Sequence, residues 1–81
     1  NGSLVLVHRT DRLSEIINML LKYNLQPKRI RFLYPKELEN SNLVLIDARK
    51  NGNIDLKVLP PLIYHNMDGS YTKEVLDMFR R

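Results

Sequence analysis

The chain has 81 residues, 43% hydrophobic and 27% charged, with thirteen Lys and Arg against nine Asp and Glu for a net charge of +4. That length bounds it to one small domain, and the absence of cysteine excludes disulfides and thiolate chemistry and fits a reducing, cytoplasmic setting. No apolar run reaches the ~20 residues that span a bilayer, so no membrane partner is expected, while the charge admits nucleic acid without requiring it.

Leu4, Val5, Leu6 and Val7 are consecutive branched apolar residues. They predict a strand over residues 4–8 that is buried on both faces. After a polar hinge, apolar residues recur at Leu13, Ile16, Ile17, Leu20 and Leu21, the spacing of one helical stripe. The predicted helix covers residues 11–23, with Thr10 or Asp11 as cap and Arg12, Glu15, Asn18 and Lys22 facing water. Asn24 suits the left-handed position that ends a helix, and Pro27 forbids continuation.

Residues 28–34 alternate, with Ile30, Phe32 and Tyr34 on one face and Arg29 and Arg31 on the other. The polar face and the flanking Pro27 and Pro35 point to an edge or near-edge strand. The intervening helix serves as the crossover that parallel strands require. Pro35–Ser41 is too short for a second crossover, so the strand over residues 42–49 is expected to run antiparallel. Its core, Leu43 to Ile46, is apolar on both faces, which places it between the first two strands. Residues 54–81 form a tail. Asn51-Gly52 makes a turn, Ile54–Leu59 returns as a short strand, and a short helix over residues 72–80 carries Val75, Leu76 and Phe79 on one side.

Strand, helix, strand and antiparallel strand make an α/β chain with too little cover for its sheet. The leading strand expects a neighbour on its free side. The whole chain, residues 1–81, therefore reads as one piece of a larger doubly wound sheet, partnered by the upstream part of the same domain. The competing expectation is a small domain that completes itself by self-association.

Four segments carry a resemblance. HRTDRL (His8–Leu13), LQPKRIRFLYPK (Leu25–Lys36), NLVLIDARKNG (Asn42–Gly52) and LPPLIYHNMDGSYTKEVLDMF (Leu59–Phe79) stand in the right order and span most of the chain. They resemble the last part of the adenine-N(6) methyltransferases of the valine tRNA. Thr10 is a departure, since that family usually has proline before the acidic residue. The resemblance implies the C-terminal part of a Rossmann-like class I methyltransferase sheet, whose last strand inserts antiparallel between its predecessors. It also implies a parent enzyme that moves a methyl group from S-adenosylmethionine to an exocyclic adenine amine. The glycine-rich loop, the acidic ribose-binding residue and the Asn-Pro-Pro-aromatic motif of that family lie upstream of Asn1. Pro60-Pro61-Leu62 is not that motif, because no Asn precedes it. No catalytic or cofactor-binding residue is therefore expected in this chain, which by itself should neither bind S-adenosylmethionine nor act.

The candidates that remain are cations for tRNA or other RNA. His8, Arg9 and Arg12 follow the end of the first strand, the edge that lines the ligand crevice of open α/β sheets. Lys36, Arg49 and Lys50, in a cluster with Lys28, Arg29 and Arg31, surround the hairpin and suit phosphate contact. The bland alternative is solvated charge that guards a sheet edge. Tyr64, Tyr71 and Phe79 more often pin a tail than stack on bases, His65 with Asp68 is too few ligands for a metal, and neither Ser14 nor Ser70 sits in a nucleophile elbow. The rival function is a small basic interaction module that binds RNA or protein through an open sheet edge.

Overall fold

A computed structural model describes residues 2–79, and it is built around one strand, β3 (Leu43–Lys50). β1 (Ser3–Arg9) and β2 (Leu25–Tyr34) flank it, both antiparallel, so the strand order is β1-β3-β2. This is the inserted position and the direction expected for the third strand. β1 and β2 therefore run parallel, connected by α1 (Leu13–Lys22). Beyond β2 the sheet continues only as two short strands, β4 (Lys57–Val58) and β5 (Leu62–Ile63), each parallel to it. A short α2 (Lys73–Phe79) closes the described chain.

The core lies between α1 and one face of the sheet. Ile16 and Leu20 of α1 pack on Ile30 of β2 and on Val44, Ile46 and Ala48 of β3, with Leu6, Leu13, Ile17, Leu25 and Phe32 around them. Each fully buried aliphatic side chain contributes roughly 1.5–3 kcal/mol of gross stabilisation. The opposite face carries Val5 and Val7, Leu45 and Asp47, and Arg29 and Arg31, because these residues stand opposite one another in register. α2 covers only part of that second face, where Val75 and Leu62 are both buried. With helices on both faces, the chain is mixed α/β.

Several expectations are corrected. α1 starts at Leu13, not at residue 11, because a 3-10 turn occupies Thr10–Arg12. Neither Thr10 nor Asp11 caps the helix. Thr10 Oγ1 instead lies 2.9 Å from Ser41 Oγ, and Asp11 pairs with Arg9. Leu21 is half-exposed rather than part of the buried stripe. β2 begins at Leu25 and includes Pro27, since a bulge at Lys28 shifts the register between Pro27 and Arg29. The extra residue turns both Pro27 and Ile30 to the core, which simple alternation forbids. β2 is the near-edge strand expected: β4 and β5 lie along its outer side, and Leu59 N–H and Tyr64 N–H donate to the carbonyls of Ile30 and Tyr34. Of Ile54–Leu59 only Lys57 and Val58 pair as strand. Arg80, assigned by sequence to the last helix, and the side chain of Phe79 lie outside what is described.

β1 departs most from its sequence reading. Its apolar residues are not enclosed: Val5 is 62% exposed and Val7 53%. Its second side pairs with nothing among the described residues, so an apolar strand forms the border of the sheet.

Candidate functional site

The structure divides the six RNA candidates between opposite ends of the sheet. His8, Arg9 and Arg12 lie where β1 runs into α1, and Lys36 follows the parallel end of β2. Arg49 and Lys50 sit at the far end of β3, where Arg49 is opposite Ser3 and Gln26. Six residues of extended strand separate Leu43 from Arg49, a span of ~20 Å at ~3.3 Å per residue. They do not form one patch.

Most of these charges are already engaged. Arg9 donates to Asp11 at 2.6 Å and Arg12 to Glu15 at 2.9 Å, both exposed pairs. His8 Nδ1 accepts from the Arg9 amide at 2.8 Å. Lys50 Nζ donates to the Tyr23 carbonyl at 2.8 Å, where it satisfies an acceptor at the end of α1. Lys36 makes no ion pair among the described residues. Beside His8 and Arg12 a groove of about 440 Å³ opens between β1 and α1, lined also by Leu6, Val7, Glu15, Ile16 and Met19. It is mainly apolar, and it continues the open side of β1.

The second face holds a charge that the sequence reading left unused. Asp47 is 5% exposed, the one buried charged residue of the described core. Arg29 donates to its Oδ2 from Nε at 3.0 Å and from a terminal nitrogen at 2.5 Å, and Arg49 Nε lies 3.6 Å from Oδ1. The hydrogen bond from Arg29 holds the Asp47 carboxyl below the usual aspartate value, against the opposing effect of burial. The signal was present in the sequence: a carboxylate that interrupts an apolar strand needs a cationic partner. Along the same face Arg31 pairs with Glu74 of α2, while its buried Nε has no hydrogen-bond partner.

The remaining candidates fold back on the chain. Tyr64 exchanges hydrogen bonds with the Asn42 side chain at 2.8 and 3.1 Å, and His65 stacks on Tyr71 with centroids 5.0 Å apart. Asp68 accepts from the Ser70 amide and hydroxyl at 3.0 and 2.7 Å, which lowers its pKa, and so closes a turn. No group of three or more His, Cys, Asp or Glu among the described residues is placed to hold a metal. No helix there is long and apolar enough to cross a membrane.

This arrangement of β1, α1, β2 and an inserted antiparallel β3 is part of a Rossmann-like methyltransferase fold, as a likeness to a solved structure shows. Among solved structures the chain is similar to the crystal structure of a predicted O-methyltransferase from Agrobacterium tumefaciens, with a TM-score of 0.82 and 27% identity. The match covers 95% of this chain and 37% of that one, so the chain spans little more than a third of its neighbour's length. No protein-family model and no curated protein matches. S-adenosylmethionine, which the fold implies, does not fit the residues present. The turn after β1 contains no glycine to admit a nucleotide, and the one carboxylate in the adjoining groove, Glu15, is paired with Arg12.

Proposed function

We propose that these residues are the C-terminal segment of an S-adenosylmethionine-dependent methyltransferase that methylates the N6 amine of adenine in RNA, with tRNA as the substrate class. The observation that carries the reading is the likeness, over 95% of the chain, to a predicted O-methyltransferase. The RNA acceptor rests on the four family-like segments and on the excess of cations. In this reading the segment supplies half a sheet and its packing, and the upstream part of the domain holds the methyl donor. That part also lays a strand along β1, which the exposed Val5 and Val7 and the adjoining apolar groove support. The absence of cysteine fits a cytoplasmic enzyme.

A second reading takes a hydroxyl as acceptor, because the structural neighbour is described as a predicted O-methyltransferase. One experiment separates them. The full-length protein is incubated with methyl-labelled S-adenosylmethionine and unmodified tRNA, and the digested nucleosides are resolved. Label in N6-methyladenosine supports the first reading. Label in an O-methylated nucleoside supports the second, and no transfer to RNA overturns the RNA reading.

A further inference from the structure

The uncovered end of the second sheet face carries a concave site of about 230 Å³ lined by Lys28, Arg29, Arg49, Asp55 and Lys57. Four cations stand there against two carboxylates, Asp55 and the buried Asp47, so two positive charges are in excess. Asp47 occupies Arg29 through Nε and one terminal nitrogen and approaches Arg49 only through Nε. The other guanidinium nitrogens have no hydrogen-bond partner among the described residues, and only Arg29 is fixed by hydrogen bonds from the carboxylate beneath it. Lys57 stands opposite Arg29 in the parallel β2–β4 pairing, on the same face, and makes no ion pair among the described residues. Lys28 Nζ is held by the Asn53 carbonyl at 2.9 Å, with Asp55 at 3.9 Å.

We propose that this pocket is a phosphate-binding site that holds a phosphodiester of an RNA backbone. A guanidinium fork held by a carboxylate, as Arg29 is, suits phosphate oxygens, and a concave basic wall concentrates the field on an anion. No aromatic ring lines the pocket, so the contact positions the backbone without reading a base. Its place in the fold selects a polymer. It lies ~20 Å along the strands from the edge where β1 ends, the edge that forms the ligand crevice in open α/β sheets. An extended polyanion is long enough to reach both. The proposal rests on the RNA reading above and names a contact surface for it, at the opposite end of the sheet from His8, Arg9 and Arg12.

The test uses the full-length protein and a fluorescent oligoadenylate, with anisotropy titrations between about 50 and 200 mM salt. Lys57→Glu is the informative variant, because Lys57 is exposed and unpaired and its replacement leaves the fold alone. It is expected to weaken binding about fivefold or more at low salt and to reduce the log–log salt slope by ~0.7 or more. Arg49→Lys keeps the charge but loses the fork and gives a smaller loss. Lys22→Glu, an equal charge change on the far side of α1, leaves affinity within about twofold. Equal losses for Lys22→Glu and Lys57→Glu, or none for Lys57→Glu, overturn the site. So does phosphatidylserine-vesicle binding that depends on Lys57 while RNA binding does not. If Lys57→Glu binds and methylates RNA normally, the pocket fails and the RNA reading stands; if the wild type neither binds nor methylates RNA, both fall.

Discussion

Arg29 and Asp47 face each other across β2 and β3, and two nitrogens of the arginine converge on one carboxylate oxygen at 3.0 and 2.5 Å. The acid is buried while the arginine side chain is 52% exposed, so desolvation falls on one partner and solvent reaches the other. Asp47→Asn at neutral pH is expected to cost about 1–3 kcal/mol, the loss of a charged hydrogen bond at a buried site. Urea unfolding of the two proteins measures it. Acid should narrow the difference. The folded-state pKa of Asp47 lies below its unfolded value, so its contribution is fully present above about pH 4. It is lost as pH falls through the depressed folded value. A gap between wild type and Asp47→Asn that stays constant down to the acid limit would show that the pair is not what holds the carboxylate.

Leu20 and Ile46 meet where α1 crosses the sheet, and both are essentially inaccessible. Truncation of either to alanine should cost about 2–5 kcal/mol. In a core this small that loss consumes much of the stability. Thermal unfolding followed by circular dichroism reads it as a large drop in Tm, and a shift of only a degree or two would mean that α1 is not seated as described.

Leu38 has a φ of 69° and is fully exposed. A branched side chain in the left-handed region is strained, and here no burial offsets it. Leu38→Gly should therefore stabilise the protein by about 0.5–1 kcal/mol, after the entropy that glycine adds to the unfolded chain is discounted. A lower urea midpoint for the variant would contradict this.

The open side of β1 makes a prediction about association. The isolated 81-residue chain should self-associate, because an apolar strand with free amides and carbonyls invites pairing. Val5→Lys, on the face away from α1, should return it to monomer. Sedimentation of both proteins decides the matter: a wild-type monomer at high concentration removes the case for a missing neighbour.

The apolar third strand and the C-terminal end of α1 were the legible part of this sequence. Val44 and Ile46 are enclosed on the α1 face of β3 while Leu43 and Leu45 on the other face are only partly buried, and Asn24, with φ 59°, ends α1 where the side-chain pattern stops. The bulge at Lys28 was not legible, since one added residue reverses which side chains face inward without altering composition. Thr10 shows a different difficulty. Its hydroxyl had a local partner available, yet Ser41, distant in sequence, takes it. Lys57 was passed over although a short strand was expected over Ile54–Leu59, because nothing in the residues indicated that it pairs parallel to β2 and sets Lys57 opposite Arg29. The proposed site was hidden for that reason. Its cations come from β2, β3 and β4 and share a face only after the parallel pairing forms.

The order of the strands also dictates when the protein can form during synthesis. Until residues 43–50 have left the ribosome, β1 and β2 have no ladder to join, since each is bonded only through the strand inserted between them or to segments made later. The last turn of α1 waits as well, because the Asn51 amide and the Lys50 ammonium close on the carbonyls of Asn24 and Tyr23. Nascent chains that stop short of Leu43 have a helix without a floor, and truncation there should yield protease-sensitive product instead of a smaller stable unit.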